Sequence, residues 1–509
     1  MTRRHEIGPG FFYLCQNPKM NPYYILLIIA LYFGLLIVIS RITGREDSNE
    51  VFFRAKREAP WYLVAFGMIG ASLSGITFIS VPGWVEAKQF SYLQMVLGFV
   101  VGYFVIAYVL LPVYYRMNLT SIYSYLGERF GTAGYKTGSV LFLIARVMGA
   151  SLRLFLVAGV LQMILFDKLG VPFWLTVSLT IVLIWVYTSK GGIKTIIVTD
   201  TLQTAFMLGA LVLTIILIGR HMNMGPGELV RLVRESPHSR VFFFDDVNDP
   251  RYFWKLFLAG VFIAIAMTGL DQGMMQKNLT VKTLKDSQKN MRWFSIALFI
   301  VNVFFLALGV ILLAYADFRG WDLAAQGIKG DKIFPHIAVE TDLGFWAALL
   351  FVLGLISAAY SSADSSMTAI TTSFSIDILD LNKRYPPEQR KRIRKTVHIG
   401  VSVFFIVILL LYSVLIKDQS IINSIFTFAS YTYGPLLGLF AFGLFNKRRV
   451  RPWVIPVAAV VSPVLTYGIA GLPERMGWAY KFGFELLLVN AAITILLLWL
   501  GGLGYQNKK

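Results

Sequence analysis

Gly70-Ala-Ser-Leu-Ser-Gly75 interrupts an apolar run from Trp61 to Trp84, and Met267-Thr-Gly-Leu-Asp-Gln-Gly273 interrupts another from Tyr252 to Met274. Each run is long enough to cross the roughly 30 Å hydrocarbon core of a bilayer as a helix, which takes about 20 residues. Clustered small residues and hydroxyls in mid-run can mark a place where the helix unwinds, although taken singly each reads more readily as close helix packing. Taken as a pair they say more. The two runs lie five spans apart and so cross in opposite directions. Broken helices in opposite-facing halves mark an inverted-repeat transporter with its site near the bilayer midplane. Unwound backbone there frees carbonyls for an ion and N–H groups for a solute.

Working outward, eleven more apolar runs complete about 13 spans. Their approximate cores are Tyr23 to Ser40, Tyr92 to Tyr115, Thr137 to Leu165, Pro172 to Tyr187, Thr195 to Ile218 and Trp293 to Tyr315. The rest are Leu343 to Ile376, Val397 to Leu415, Ile421 to Phe445, Trp453 to Ile469 and Phe482 to Leu500. None alternates with the period of a barrel strand, so the spans are helices. The chain has 509 residues, 56% hydrophobic and only 15% charged. It reads as an all-α polytopic membrane protein, one transmembrane domain over residues 1–509, since no loop is long enough for a separate core. The first run starts too late and runs too long for a cleaved leader, and it reads as a retained span. The single cysteine, Cys15, forms no intramolecular disulfide.

The net charge of +19 belongs to topology rather than to nucleic acid. Lys and Arg gather in alternate loops, as in Arg41, Arg45, Arg54, Lys56 and Arg57, then Arg116, Arg129 and Lys136, then Lys190 and Lys194. The pattern continues with Lys277, Lys282, Lys285, Lys289 and Arg292, with Lys383 to Lys395 (including Arg394), with Lys447 to Arg451, and with Lys508 and Lys509. Such loops are cytoplasmic. The N-terminus is therefore expected outside and the C-terminus inside, in the inner membrane of a bacterium. Arg3, Arg4, Arg231, Arg234 and Arg240 run against this trend.

A charge at the bilayer centre costs roughly 2.5–3.5 kcal/mol on insertion scales, so each one needs a role. Asp200 lies one to two turns into the sixth span, and Asp364 falls within Ser361-Ser-Ala-Asp-Ser-Ser366 in mid-membrane. Arg146 and Arg153 share one helical face two turns apart. Hydroxyls and carboxylates are hard oxygen ligands, suited to a hard cation; the plainer alternative is serines bonding back to their own helix. No cysteine–histidine cluster, nucleotide loop or hydrolase elbow is present, and the five histidines are dispersed, so no enzymatic chemistry is expected. A carboxylate dyad of Asp200 and Asp364 in a membrane hydrolase, and a channel, are the rivals from other classes.

These residues resemble the sodium/solute symporter family, which includes sodium–glucose, sodium–proline and sodium–sialic acid transporters. The resemblance runs from about Tyr24 to Phe445. It is carried by Gly70 to Gly75 with Pro82-Gly83, by Thr120-Ser-Ile-Tyr-Ser-Tyr-Leu-Gly-Glu-Arg-Phe-Gly131, and by Gly191-Gly-Ile-Lys-Thr-Ile-Ile-Val-Thr-Asp-Thr-Leu-Gln203. It continues in Asp271-Gln-Gly-Met-Met-Gln276, in Ser361 to Ser366 with Asp377, and in Tyr433-Gly-Pro-Leu436. It implies a five-plus-five inverted repeat over about residues 60–445, with peripheral helices at about 22–41 and 452–501. It implies sodium as the coupling ion, bound by the carbonyls of Gly70, Leu73 and Ala358 and the hydroxyls of Ser361 and Ser362. The second sodium site of some members would fall on Asp200, Ser361, Asp364 and Ser365. For the solute it implies contacts from Ser74, Thr77, Phe78, Gln94, Arg146, Asn302 and Thr427. The polar groups that sugar transporters carry near Thr77, Ala264, Met267 and Thr427 are mostly absent. Arg146 lies close to a carboxylate-binding arginine of the sialic acid branch, so a sugar acid such as sialic acid is the expected solute, with a neutral sugar, an amino acid or another monocarboxylate as alternatives. The expected partners are the solute, sodium and the lipid bilayer, with the monomer as the working unit.

Overall fold

Lipid supplies no partner for a backbone N–H or C=O, so long apolar stretches close their own hydrogen bonds as helices. The computed structural model describes residues 22–45, 48–189, 192–341, 343–415, 421–503 and 505, and among them every regular element is helical. Cys15, Arg3, Arg4, Lys190, Gly191, Lys508 and Lys509 lie outside the described residues.

The main helices are α1 (Pro22–Thr43), α2 (Trp61–Lys88), α3 (Tyr92–Val105), α4 (Ser124–Leu161), α5 (Phe173–Thr188) and α6 (Ile193–His221). The seventh is in two pieces, α7a (Phe253–Gly269) and α7b (Gln272–Asn278). Then come α8 (Leu284–Phe318), α9 (Phe345–Ser373), α10 (Pro387–Leu415), α11 (Ile421–Phe445), α12 (Val454–Ala470) and α13 (Leu486–Gly501). Among the described residues, nine helices are long and apolar enough to cross a membrane, and the bent α7 makes a tenth. The halves and ends Trp61–Gly75, α5 and α13 are shorter apolar helices.

Both expected breaks are present. Ser74 leaves helical geometry in the middle of α2, with φ 39° and ψ 170°. The halves of α7 meet at 70°. Local chemistry accounts for the second break. The Asp271 carboxylate accepts from the Met274 N–H at 3.0 Å and so starts α7b as its N-cap. The carbonyls freed just before it are satisfied from elsewhere, Gly269 by the Tyr114 hydroxyl at 2.9 Å and Leu270 by the Tyr123 hydroxyl at 2.8 Å. The Gln272 amide then takes the Ile122 N–H and donates to the Thr120 carbonyl. The Thr120–Gly131 stretch therefore serves as a clamp on the bend.

Small residues set the helix spacing. A Cβ on Gly98 would lie 2.1 Å from the Phe257 carbonyl, and one on Gly260 2.2 Å from that of Met95. α3 and α7a thus cross backbone to backbone. Gly98→Leu is expected to force them apart and lower the melting temperature of the purified protein, an overpacking cost of about 1–3 kcal/mol or more. α9 is the hub: it packs on α2, α4, α6 and α10, and it is buried almost throughout from Phe351 to Ser373.

Two expected loop charges are not in loops. Lys277 is only 1% exposed and Arg394 is fully buried. The Arg394 guanidinium covers the Phe52 ring and donates to Asn49. The bend turns Lys277 back into the bundle, which a count of loop charges does not register.

Candidate functional site

The break in α2 opens on a cavity of about 90 Å³, room for several waters. Ser72, Ser74 and Thr77 of α2 line one side; Tyr92, Phe99 and Tyr103 of α3 line another. Arg146 and Arg153 of α4, Met267 and Thr268 of α7a, and Phe426 of α11 complete it.

The two arginines divide their work. Arg146 is 6% exposed. Its Nη1 lies 3.1 Å from Asp271 Oδ2, and the same carboxylate oxygen accepts from the Tyr433 hydroxyl at 3.0 Å. Asp271 also caps α7b, so Arg146 and Tyr433 hold the broken helix in place. Arg153, seven residues on, faces the same cavity and makes no hydrogen bond or ion pair with any described residue. The charges of Arg146 and Asp271 cancel, which leaves the cavity with one uncompensated guanidinium.

Of the expected pocket residues, Ser74, Thr77 and Arg146 line this cavity and four do not. Phe78 is buried among Phe305, Phe334 and Phe351. The Gln94 amide donates to the Arg251 carbonyl at 2.8 Å and accepts from the Phe243 N–H, which fastens an outer loop. Asn302 donates to Leu298 within its own helix. Thr427 is exposed, while its neighbour Phe426 turns inward. Tyr92, Tyr103 and Arg153 are the additions. Arg153 was legible as a mid-membrane charge on the face of Arg146; the tyrosines carried no sequence signal beyond their type.

The ion-ligand candidates gather where α2, α6 and α9 meet. The Gly70 N–H donates to Thr204 Oγ1 at 3.1 Å, which seats the α2 break on α6. The unwinding at Ser74 takes neighbouring carbonyls out of the helical ladder. The Ser362 hydroxyl is 2% exposed and has no hydrogen-bond partner among the described residues. A buried hydroxyl without a partner costs free energy. A hard cation would supply that partner, and Gly70, Leu73, Ala358, Ser361 and Ser362 are the residues that would hold it.

The second donor set differs. The Asp200 carboxylate takes the Ser361 hydroxyl on Oδ1 at 2.6 Å and the Lys277 ammonium on Oδ2 at 2.5 Å. Lys277 also donates to Ser365 Oγ at 2.8 Å. Asp364 accepts from the Tyr187 hydroxyl at 2.9 Å and from the Ser365 N–H, and its Oδ1 also takes the Ser365 hydroxyl at 3.2 Å, which joins it to the Lys277 contact through that serine. The position between Asp200 and Ser365 therefore already holds a positive charge from the chain itself. Lys277 is the buried charge that a count of loop charges misplaces.

Comparison with known proteins adds the following. A family model described as "Sodium:solute symporter family" matches residues 52–452. The chain is 24% identical over 475 residues to the sodium/sialic acid symporter SiaT of Proteus mirabilis, covering 91% of each. It is 25% identical over 446 residues to the human sodium/iodide cotransporter, covering 85% of this chain and 66% of that one. It is 23% identical over 430 residues to the mouse sodium-coupled monocarboxylate transporter 2, covering 82% and 67%. Its fold matches the substrate-bound outward-open structure of a Na+-coupled sialic acid symporter with TM-score 0.78, at 22% identity over 95% of this chain and 98% of that one.

Proposed function

Because the chain belongs to the sodium:solute symporter family, we propose that it carries a small organic carboxylate across the inner membrane on the inward sodium gradient. The observation that supports the solute class is Arg153, a guanidinium on the central cavity with no partner among the described residues. A guanidinium offers a planar fork of donors that a carboxylate meets with two parallel hydrogen bonds. The relatives named above bear on the same point: sialic acid, iodide and monocarboxylates are all anionic cargoes. A sugar acid such as sialic acid is the leading candidate.

Sodium entering from outside binds between the α2 break and α9, through the carbonyls of Gly70, Leu73 and Ala358 and the hydroxyls of Ser361 and Ser362. The solute carboxylate sits on Arg153, with Ser74 and Thr77 one turn from the ion ligands on the same broken helix. Ordering of that break by sodium favours the conformation that holds solute. Solute likewise favours sodium, because coupling between two sites is reciprocal. Inward opening then releases both. The termini lie as the loop charges imply, N-terminus outside and C-terminus cytoplasmic, and one copy of the chain suffices.

Proteoliposomes with an inward sodium gradient test the reading. Expected is accumulation of a sugar acid or short monocarboxylate in sodium but not in potassium, with no accumulation of the matching neutral alcohol or amide. Equal accumulation of the neutral analogue would discard the carboxylate assignment. Ser362→Ala is expected to raise the sodium half-saturation roughly tenfold, since about 1.4 kcal/mol of ligation corresponds to a factor of ten, while solute affinity at saturating sodium stays unchanged. An unaltered sodium half-saturation would remove Ser362 from the site.

A further inference from the structure

We infer that the ammonium of Lys277 is a built-in cation standing where a second sodium would bind, so that each turnover couples one sodium ion to one solute. The coupling ratio extends the proposed function and rests on it. The placement of Lys277 rests on geometry alone.

The lysine Nζ lies 2.5 Å from Asp200 Oδ2 and 2.8 Å from Ser365 Oγ, and its side chain is 2% exposed. They are two of the hard oxygen donors on which the resemblance to the family places a second sodium, and a carboxylate beside a hydroxyl suits such a cation. A lysine head is itself a compact point charge with three donors, so ion and ammonium compete for one position. The neighbouring oxygens already carry partners from the chain. The remaining oxygen of Asp200 is engaged by Ser361 at 2.6 Å, and Asp364 by Tyr187 and Ser365.

The tether matters as much as the charge. Lys277 sits on α7b, the short piece after the 70° bend, whereas Asp200 lies on α6 and Ser365 on α9. Its ammonium ties the broken helix of one half to a helix of the other, as a bound ion between them would. A sodium ion leaves at each inward opening; a lysine does not. The second link is thus permanent and draws no energy from the gradient. With a carboxylate solute, one sodium and one anion move together, and no net charge crosses.

The test begins with the unaltered protein. In proteoliposomes held at zero voltage with potassium and valinomycin, a tenfold sodium gradient is expected to sustain about tenfold accumulation of radiolabelled sialic acid, or of whichever monocarboxylate the preceding uptake assay selects, because one ion couples to one solute. Accumulation approaching a hundredfold, the square of the gradient, would overturn the inference. Imposing about 60 mV, worth a factor of ten per net charge moved, separates the two readings. Unchanged accumulation fits one sodium with an anion. A tenfold rise with the first-power sodium dependence retained overturns the carboxylate but leaves Lys277 in place.

Radioactive sodium binding to the detergent-solubilised protein without solute supplies a readout independent of transport. One sodium per chain with a simple saturation curve is expected. Lys277→Met, if it elutes as a folded monodisperse species, is expected to bind a second sodium with a Hill slope rising above one. Two sodium ions bound by the unaltered protein, or one by the folded variant, would overturn the proposal. Should the variant fail to fold, the wild-type stoichiometry still decides.

Discussion

Replacing Arg153 by glutamine is expected to weaken binding of a carboxylate solute by on the order of 100-fold or more while leaving sodium binding intact. Removing one member of a desolvated charge pair costs about 2–5 kcal/mol, and each 1.4 kcal/mol is a factor of ten. Glutamine keeps two donors but neither the fork nor the charge, and lysine, which keeps the charge, is expected to recover only part of the loss. Arg146 predicts a different pattern. It is bonded to Asp271, which caps α7b and takes the Tyr433 hydroxyl. Arg146→Lys should therefore lower thermal stability and slow transport together. Solute-dependent thermal shift measured with saturating sodium distinguishes the two, since a ligand raises the melting temperature only to the extent that it binds the folded state. A normal solute shift in Arg153→Gln would place the carboxylate elsewhere.

The second large effect concerns stability. Asp200→Ala removes the only carboxylate bonded to Lys277 among the described residues and leaves an ammonium buried within the bundle. Breaking a buried ion pair on one side costs about 3–5 kcal/mol, and a drop in melting temperature of several degrees should follow. Adding Lys277→Met to Asp200→Ala is expected to restore most of that loss, because the unpaired charge goes with it. The double-mutant cycle isolates the coupling between the two residues. If the double variant is no more stable than Asp200→Ala alone, the two charges do not depend on one another.

Much of this molecule is legible in one dimension. Runs of apolar residues dictate helices because lipid leaves the backbone no other partner. The clusters at Gly70–Gly75 and Met267–Gly273 mark where those helices open, and both openings are where the sequence placed them. The serines of Ser361–Ser366 and the aspartates Asp200 and Asp364 announce themselves by their polarity at mid-membrane. Whether a polar side chain faces the cavity is less legible. Gln94, Asn302 and Thr427 lie on helices near the site, yet a rotation of about 100° per residue turns Gln94 to an outer loop, Asn302 to its own helix and Thr427 outward.

Composition, run length and the small-residue breaks by themselves determined a polytopic helical membrane protein with two opened helices, because burial in lipid constrains residue type at every position along a span. Partnership between distant charges was decided only in three dimensions. Arg146 and Arg153 look alike in sequence, and the neutralisation of one by Asp271, 125 residues away, separates a structural guanidinium from a free one. Lys277 reads as one more cytoplasmic loop charge until the 70° bend swings it against Asp200, 77 residues upstream. A bend redirects a whole helix end through a single junction, and no periodicity within the helix records where that end arrives.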